Sequence, residues 1–180
     1  VQEFKKKREQ LGSGCPAHLI GPLQKNKARD AVAIFDGIES VHSAELLELL
    51  DREADRIARS LEVLLQVNIS ADDSKSGFAP ETLTDPALLA TIGRLRRLTV
   101  RGLMTITRFY DEPEDARPDF RRMKAISDEL RASSPEAARL VGPELSMGMS
   151  ADFEIAIEEG ATLVRIGTAL FGERTVSLPV

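Results

Sequence analysis

The chain has 180 residues, 42% of them hydrophobic and 29% charged, with a formal net charge of −5; this is enough for one substantial core and points to a single domain over residues 1–180. With no Trp, one Tyr and no basic block of five or more residues, base stacking and phosphate-backbone binding have little to work with, which excludes nucleic acid as the main partner. No apolar stretch reaches membrane length and Cys15 has no second cysteine to pair with, so a membrane span and an internal disulfide are excluded and a cytoplasmic location is expected.

Taken in order, Val1 to Leu11 reads as a helix entered already formed, since nothing before it caps or starts one. Gly12 to Pro16 is a loop carrying Cys15 as an uninvolved thiol. Ala17-His18-Leu19-Ile20-Gly21 is a short buried strand ending at a glycine. Pro22 to Lys27 leads into a helix through Phe35, and a brief strand follows at Ile38-Glu39-Ser40-Val41. Ser43 then caps a helix from Ala44 to Ala58, whose leucines Leu46, Leu47, Leu49 and Leu50 form a face for packing on a sheet.

Glu62 to Ser70 carries the plainest strand signal, because Val63, Leu65, Val67 and Ile69 alternate with Leu64, Gln66 and Asn68. Gln66 and Asn68 share a face near its C-terminal end, where polar groups suit a barrel mouth or crevice better than a dry core. The segment from Ala71 to Phe78 is too polar and too long for a tight hairpin. A helix is expected from Pro80 to Leu95, with Asp85-Pro86 as an alternative start. Leu98 to Ile106 is a strand with Gly102 where a side chain is unwelcome, Phe109 to Pro118 a loop, and Asp119 to Ala132 a helix ended by Ser133-Ser134-Pro135. Glu144 to Ser146 forms a strand, Ser150 to Glu159 a helix stopped by Gly160, and Leu163 to Ile166 the last strand. Val176 to Val180 has no evident role. Strands and helices alternating through crossover-length connections require a mostly parallel sheet with helices outside it. Periodicity alone leaves an open doubly wound sheet and a barrel both standing.

The chemistry concentrates in Leu145-Ser146-Met147-Gly148-Met149-Ser150 and, a helix later, Thr162-Leu163-Val164-Arg165-Ile166-Gly167-Thr168. A small-residue turn that closes a strand and opens a helix presents backbone N–H groups to an anion. Two such units in succession can hold one phosphate between adjacent strand ends, as barrels of parallel strands do. Arg165 shares a strand face with Leu163 and Gly167. A guanidinium on a buried strand needs an acceptor, which either a cofactor nitrogen or a carboxylate from a neighbouring loop would supply. His18 and His42 are too few and badly placed for a metal centre with a single cysteine, and His18 is expected to be a satisfied residue at a strand start. No nucleophile elbow, Walker loop or dinucleotide fingerprint is present.

Five ordered motifs carry a resemblance. They are His18-Leu19-Ile20-Gly21-Pro22-Leu23-Gln24-Lys25-Asn26-Lys27; Val67-Asn68-Ile69 with Ser74-Lys75-Ser76-Gly77; Arg101-Gly102-Leu103-Met104; the Leu145–Ser150 stretch with Asp152-Phe153-Glu154; and Val164-Arg165-Ile166-Gly167-Thr168-Ala169-Leu170-Phe171-Gly172. From Val1 to about Arg174 the chain resembles the pyridoxal phosphate homeostasis proteins, related in fold to the N-terminal barrel of alanine racemase (fold type III). The resemblance implies a (β/α)8 TIM barrel, here about six of its eight β/α units, that binds pyridoxal 5'-phosphate and buffers or delivers it in vitamin B6 homeostasis without defined turnover. It implies Ser150, Ser146 and Gly148 in a phosphate cup with the backbone of Gly167 and Thr168, Arg165 facing the pyridine nitrogen, Met147 and Met149 bordering the cup, and no catalytic residue. The Schiff-base lysine and the first two strands are expected upstream of Val1; within the chain, Lys75 ranks ahead of Lys25 and Lys27 as a cofactor-near lysine. Transient contact with pyridoxal phosphate-dependent apoenzymes is expected, as is a missing N-terminal segment or partner chain covering the open sheet edges. A racemase-like enzyme and a non-binding remnant of the barrel are the alternatives.

Overall fold

The computed structural model describes residues 1–11, 14–70 and 76–172. Gly12, Ser13, the loop residues 71–75 with Ser74 and Lys75, and the tail from Val176 lie outside the described residues. The elements run as α1 (Gln2–Leu11), β1 (His18–Leu19), α2 (Ala28–Ile34), β2 (Gly37–Val41), α3 (Ala44–Arg56), β3 (Leu61–Gln66), α4 (Pro86–Gly93), β4 (Leu98–Met104), α5 (Arg117–Ser133), α6 (Pro135–Leu140), β5 (Glu144–Met149), α7 (Phe153–Glu158), β6 (Leu163–Arg165) and α8 (Thr168–Phe171).

The six strands form one parallel sheet in the order β1-β2-β3-β4-β5-β6. Each crossover therefore advances one strand in one direction, whereas a doubly wound sheet reverses midway. Of the two topologies that periodicity allows, the chain takes the winding of a barrel. The sheet also curls. Ser146 on β5 donates a 2.5 Å hydrogen bond to Glu39 on β2, although strands three places apart in a flat sheet stand about 14 Å from each other. A narrow cavity at the N-terminal strand ends is bordered by residues of all six strands, among them His18, Glu39, Leu64, Arg101, Glu144 and Leu163.

Alternation along the strands sorts side chains into two layers. Ile38, Val41, Val63, Leu65, Val100, Leu103, Leu145 and Met147 join Leu46, Leu47, Leu50, Leu88, Ile92, Phe120, Met123 and Leu130 in one apolar cluster between sheet and helices. Leu64 and Met104 are buried apart from that cluster, on the concave side, in the company of polar groups. Below them Arg101 is paired with Glu144 at 2.6 Å and with Glu62 at 3.6 Å.

Local chemistry sets the boundaries. The Ser43 side chain accepts the Leu46 N–H at 3.2 Å and starts α3 as expected. Asp85 accepts the Ala87 N–H at 2.8 Å with Pro86 in the first helical position, so α4 begins there, and Pro80–Thr82 is a separate three-residue turn. The strand expected to reach Ser70 ends at Gln66, because the chain then exchanges backbone bonds with Phe78. A second difference is α6: Ser134 does more than end α5, since its side chain accepts the Ala137 N–H at 3.0 Å and caps a new helix. At Gly102 the register of β3 against β4 shifts by one residue, and a Cβ there would fall on the Glu144 backbone carbonyl.

Asp36 ties the outer layer to the start of the sheet. It accepts from the Ala17 N–H at 2.9 Å, from Arg59 at 2.9 Å and from Arg8 at 3.2 Å. Burial pushes its carboxyl up, but the Ala17 amide and the two guanidinium groups together outweigh it and hold the pKa below the ordinary 3.8.

Candidate functional site

At the C-terminal strand ends, β5 and β6 close on each other. Their register passes from Ser146 opposite Leu163 to Met149 opposite Arg165, so β5 carries one extra residue. Gly148 lies in that bulge at φ +90°, and a Cβ on it would come within 2.5 Å of the Ala156 methyl, so only glycine lets the strand lie this close to α7. The Asp152 carboxylate accepts the Met149 N–H at 2.6 Å and the Asp152 N–H donates back to the Met149 carbonyl at 3.1 Å. This turn uses residues 150–152, and α7 begins at Phe153 rather than at Ser150.

Ser150 joins the two strand tips. Its Oγ accepts the Gly167 N–H at 3.0 Å and the Ala169 N–H at 3.3 Å. A hydroxyl has two lone pairs and one proton. With both lone pairs engaged, the proton is left to be donated to a third group. Gly167 and Thr168 are exposed, and among the described residues a Cβ added to Gly167 would meet nothing within 4 Å, which leaves open space there beside the joined tips.

Beneath the tips Arg165 turns to the concave face. Its Nη1 donates to Ser146 Oγ at 2.7 Å and its Nη2 to the Thr105 carbonyl at 2.7 Å, so the side chain reaches across β5 to the end of β4. Burial pulls the guanidinium pKa down, and the charges of Glu39 and Asp152 act against that; arginine nonetheless stays protonated at any working pH. Ser146 is fully buried and donates its hydroxyl hydrogen bond to Glu39 Oε2 at 2.5 Å. Glu39 is 5% exposed, and its other oxygen lies 3.0 Å from His18 Nδ1.

The structure thus groups Ser150, Gly167 and Thr168 at the mouth, with Gly148 as the packing residue below. Arg165 and Ser146 share a lower level on the concave face, and the Ser146 hydroxyl is already committed to Glu39 and Arg165. Met147 does not border the mouth, because it points into the apolar layer under the helices, while Met149 is exposed at the rim. Lys25 and Lys27 lie in the three-residue turn after β1. The Tyr110 hydroxyl donates to Asp119 at 2.8 Å, and burial followed by that bond raises its pKa. Glu39 was assigned no role from sequence, yet a carboxylate inside a five-residue strand with no exposed position signals a buried partner. Among the described residues no cluster of His, Cys, Asp and Glu could hold a metal ion, and no helix is long and apolar enough to cross a membrane.

Residues 1–175 match the family described as alanine racemase, N-terminal domain. The chain is 42% identical over 175 residues to the pyridoxal phosphate homeostasis protein of Aquifex aeolicus, covering 97% of this chain and 74% of that protein. It is 41% identical over 162 residues to the protein of the same name from Pseudomonas aeruginosa, covering 90% and 66%. Among solved structures, PipY of Synechococcus elongatus with pyridoxal phosphate bound superposes with a TM-score of 0.85 at 39% identity, covering 95% of this chain and 78% of that one. Alanine racemase of Clostridium difficile superposes at 0.69 with 18% identity over 93% and 44%, a likeness of fold. With matches of this extent, the chain belongs to the pyridoxal phosphate homeostasis protein family and has the α/β barrel winding of the alanine racemase N-terminal domain.

Proposed function

We propose that this protein binds pyridoxal 5'-phosphate at the joined tips of β5 and β6 and buffers or delivers it in the cytoplasm. The observation that carries the reading is the Ser150 bridge to Gly167 and Ala169 directly beyond Arg165. The donor set fits the group. A phosphate monoester needs several donors and room to enter, which the Ser150 proton, the Thr168 hydroxyl and backbone N–H and the open space beside Gly167 offer, while the Gly167 N–H holds Ser150 in place. Gly148 keeps the β5 tip against α7 so that Ser150 meets β6. Arg165 is the partner for the ring nitrogen, with Ser146 supporting it from below. The relatives' names and the pyridoxal phosphate bound to PipY support the same reading.

When bound, the cofactor supplies an aldehyde that reversibly captures amines and a ring that can accept electrons. Arg165 only donates, so it holds the ring nitrogen as an acceptor and keeps the ring a weak electron sink. That suits retention and release better than carbanion chemistry. A racemase would also need an acid/base group on the opposite cofactor face, and the one tyrosine of the sequence, Tyr110, is engaged by Asp119. We therefore assign no catalytic residue.

On this reading, delivery implies brief contact with recipient apoenzymes. Equilibrium dialysis with pyridoxal 5'-phosphate tests the site. Wild type is expected to bind, and Ser150→Ala, Gly167→Val and Arg165→Leu to bind about tenfold or more weakly. No binding, or binding indifferent to all three changes, overturns the proposal. Intact mass after borohydride reduction reports whether a lysine has been pyridoxylated.

A further inference from the structure

Glu39 is a buried carboxylate that the cofactor site as described does not use. The direction of its bonds is fixed by chemistry: arginine can only donate and an ionised carboxylate only accept, so the single Ser146 proton must point to Glu39 and its lone pair to Arg165. Arg165 therefore has two neutral oxygens as direct partners, Ser146 Oγ and the Thr105 carbonyl, with the Glu39 carboxylate one hydroxyl away and the Asp152 carboxylate acting on it without a hydrogen-bonded link. A buried cation left with neutral acceptors alone is costly, and a guanidinium with several rotatable bonds needs more than one anchor to hold one pose. His18 holds the far oxygen of Glu39 at 3.0 Å and so fixes which oxygen meets Ser146.

We infer that Glu39 is a positioning residue for Arg165: acting through Ser146, it holds the guanidinium on the concave face and balances its charge, so that the ring end of the bound cofactor, rather than its phosphate, depends on it. The inference rests on the cofactor reading only for its ligand; the positioning itself is a property of the ligand-free chain. Four strands share the device, since β1 and β2 supply the His18–Glu39 pair, β5 the relay and β6 the cation.

The test uses Glu39→Gln, which keeps the side chain's shape, with Ser146→Ala to break the relay and Ser146→Thr to restore a hydroxyl. The first readout is the 15N–1H guanidinium resonance of Arg165 in ligand-free protein, assigned by its loss in Arg165→Lys. A resolved, slowly exchanging signal is expected in wild type and Ser146→Thr, with fast exchange in Glu39→Gln and Ser146→Ala. The second readout is affinity for pyridoxal 5'-phosphate against inorganic phosphate. Glu39→Gln is expected to weaken the first about tenfold and leave the second unchanged, with Glu39→Gln/Ser146→Ala no worse than either single change. An Arg165 signal indifferent to Glu39→Gln, or equal weakening of both ligands, overturns the inference. Failure of wild type to bind the cofactor, with the Arg165 signal still responding to Glu39, sinks the cofactor reading and leaves the positioning intact.

Discussion

The two faces of this sheet are made from alternate residues of the same strands, yet they obey different rules. On the convex side Val63, Leu65, Leu103, Leu145 and Met147 meet helix leucines and Phe120 in an apolar cluster. On the concave side the neighbouring positions carry Glu39, Ser146 and Arg165, linked across three strands. The first face is held by burial, which is roughly additive in area and indifferent to direction. The second is held by donors and acceptors, each of which must find its complement. The difference locates function: the apolar layer fixes where the strand tips stand, and the polar layer determines what they can hold.

Breaking the convex layer should cost most. Phe120→Ala removes a fully buried ring and is expected to lower unfolding free energy by about 3–5 kcal/mol, read from urea melts, with cofactor affinity lost only as the fold is lost. Asp36→Asn is next. It weakens the tie of α1, the α3–β3 connection and the β1 approach, for an expected loss of about 1–2 kcal/mol, limited by solvent around a partly exposed carboxylate. Because the folded pKa of Asp36 lies below its ordinary 3.8, its contribution is complete above that value and is lost as pH falls through the lower folded pKa. Wild type should therefore lose its advantage over Asp36→Asn in acid melts below pH 3.8. The cap change Asp85→Ala should cost about 1 kcal/mol and leave ligand binding alone. Ser150→Ala sharpens the contrast from the other side: stability should change by less than about 1 kcal/mol while cofactor affinity falls about tenfold.

Much of the convex layer was legible in the sequence because its signal is periodic. The alternation around Val63 and Leu65, the leucines of α3 and the cap Ser43 sit where local rules put them, while α4 takes the alternative start at Asp85-Pro86 rather than the one at Pro80. The misses have local causes too. Ser134 serves as both a stop and a cap, and the Phe78 pairing ends β3 early. The site was legible in part. Small residues marked the β5 and β6 tips, and an arginine in a strand marked the need for an acceptor. That Ser146 would serve Arg165 and Glu39, and that Met147 would face the helices, depended on a bulge at Gly148 and a curl bringing β2 opposite β5. Contacts between residues 107 positions apart leave no periodic trace.

The account turns on one placement, that the β5 and β6 tips receive the phosphate while Arg165 receives the ring. A crystal soaked with pyridoxal 5'-phosphate measures it directly. The account predicts phosphate density within hydrogen-bond reach of Ser150 and the Gly167–Thr168 backbone, with the pyridine nitrogen facing Arg165. Phosphate density elsewhere on the molecule, or a ring turned away from Arg165, would contradict it.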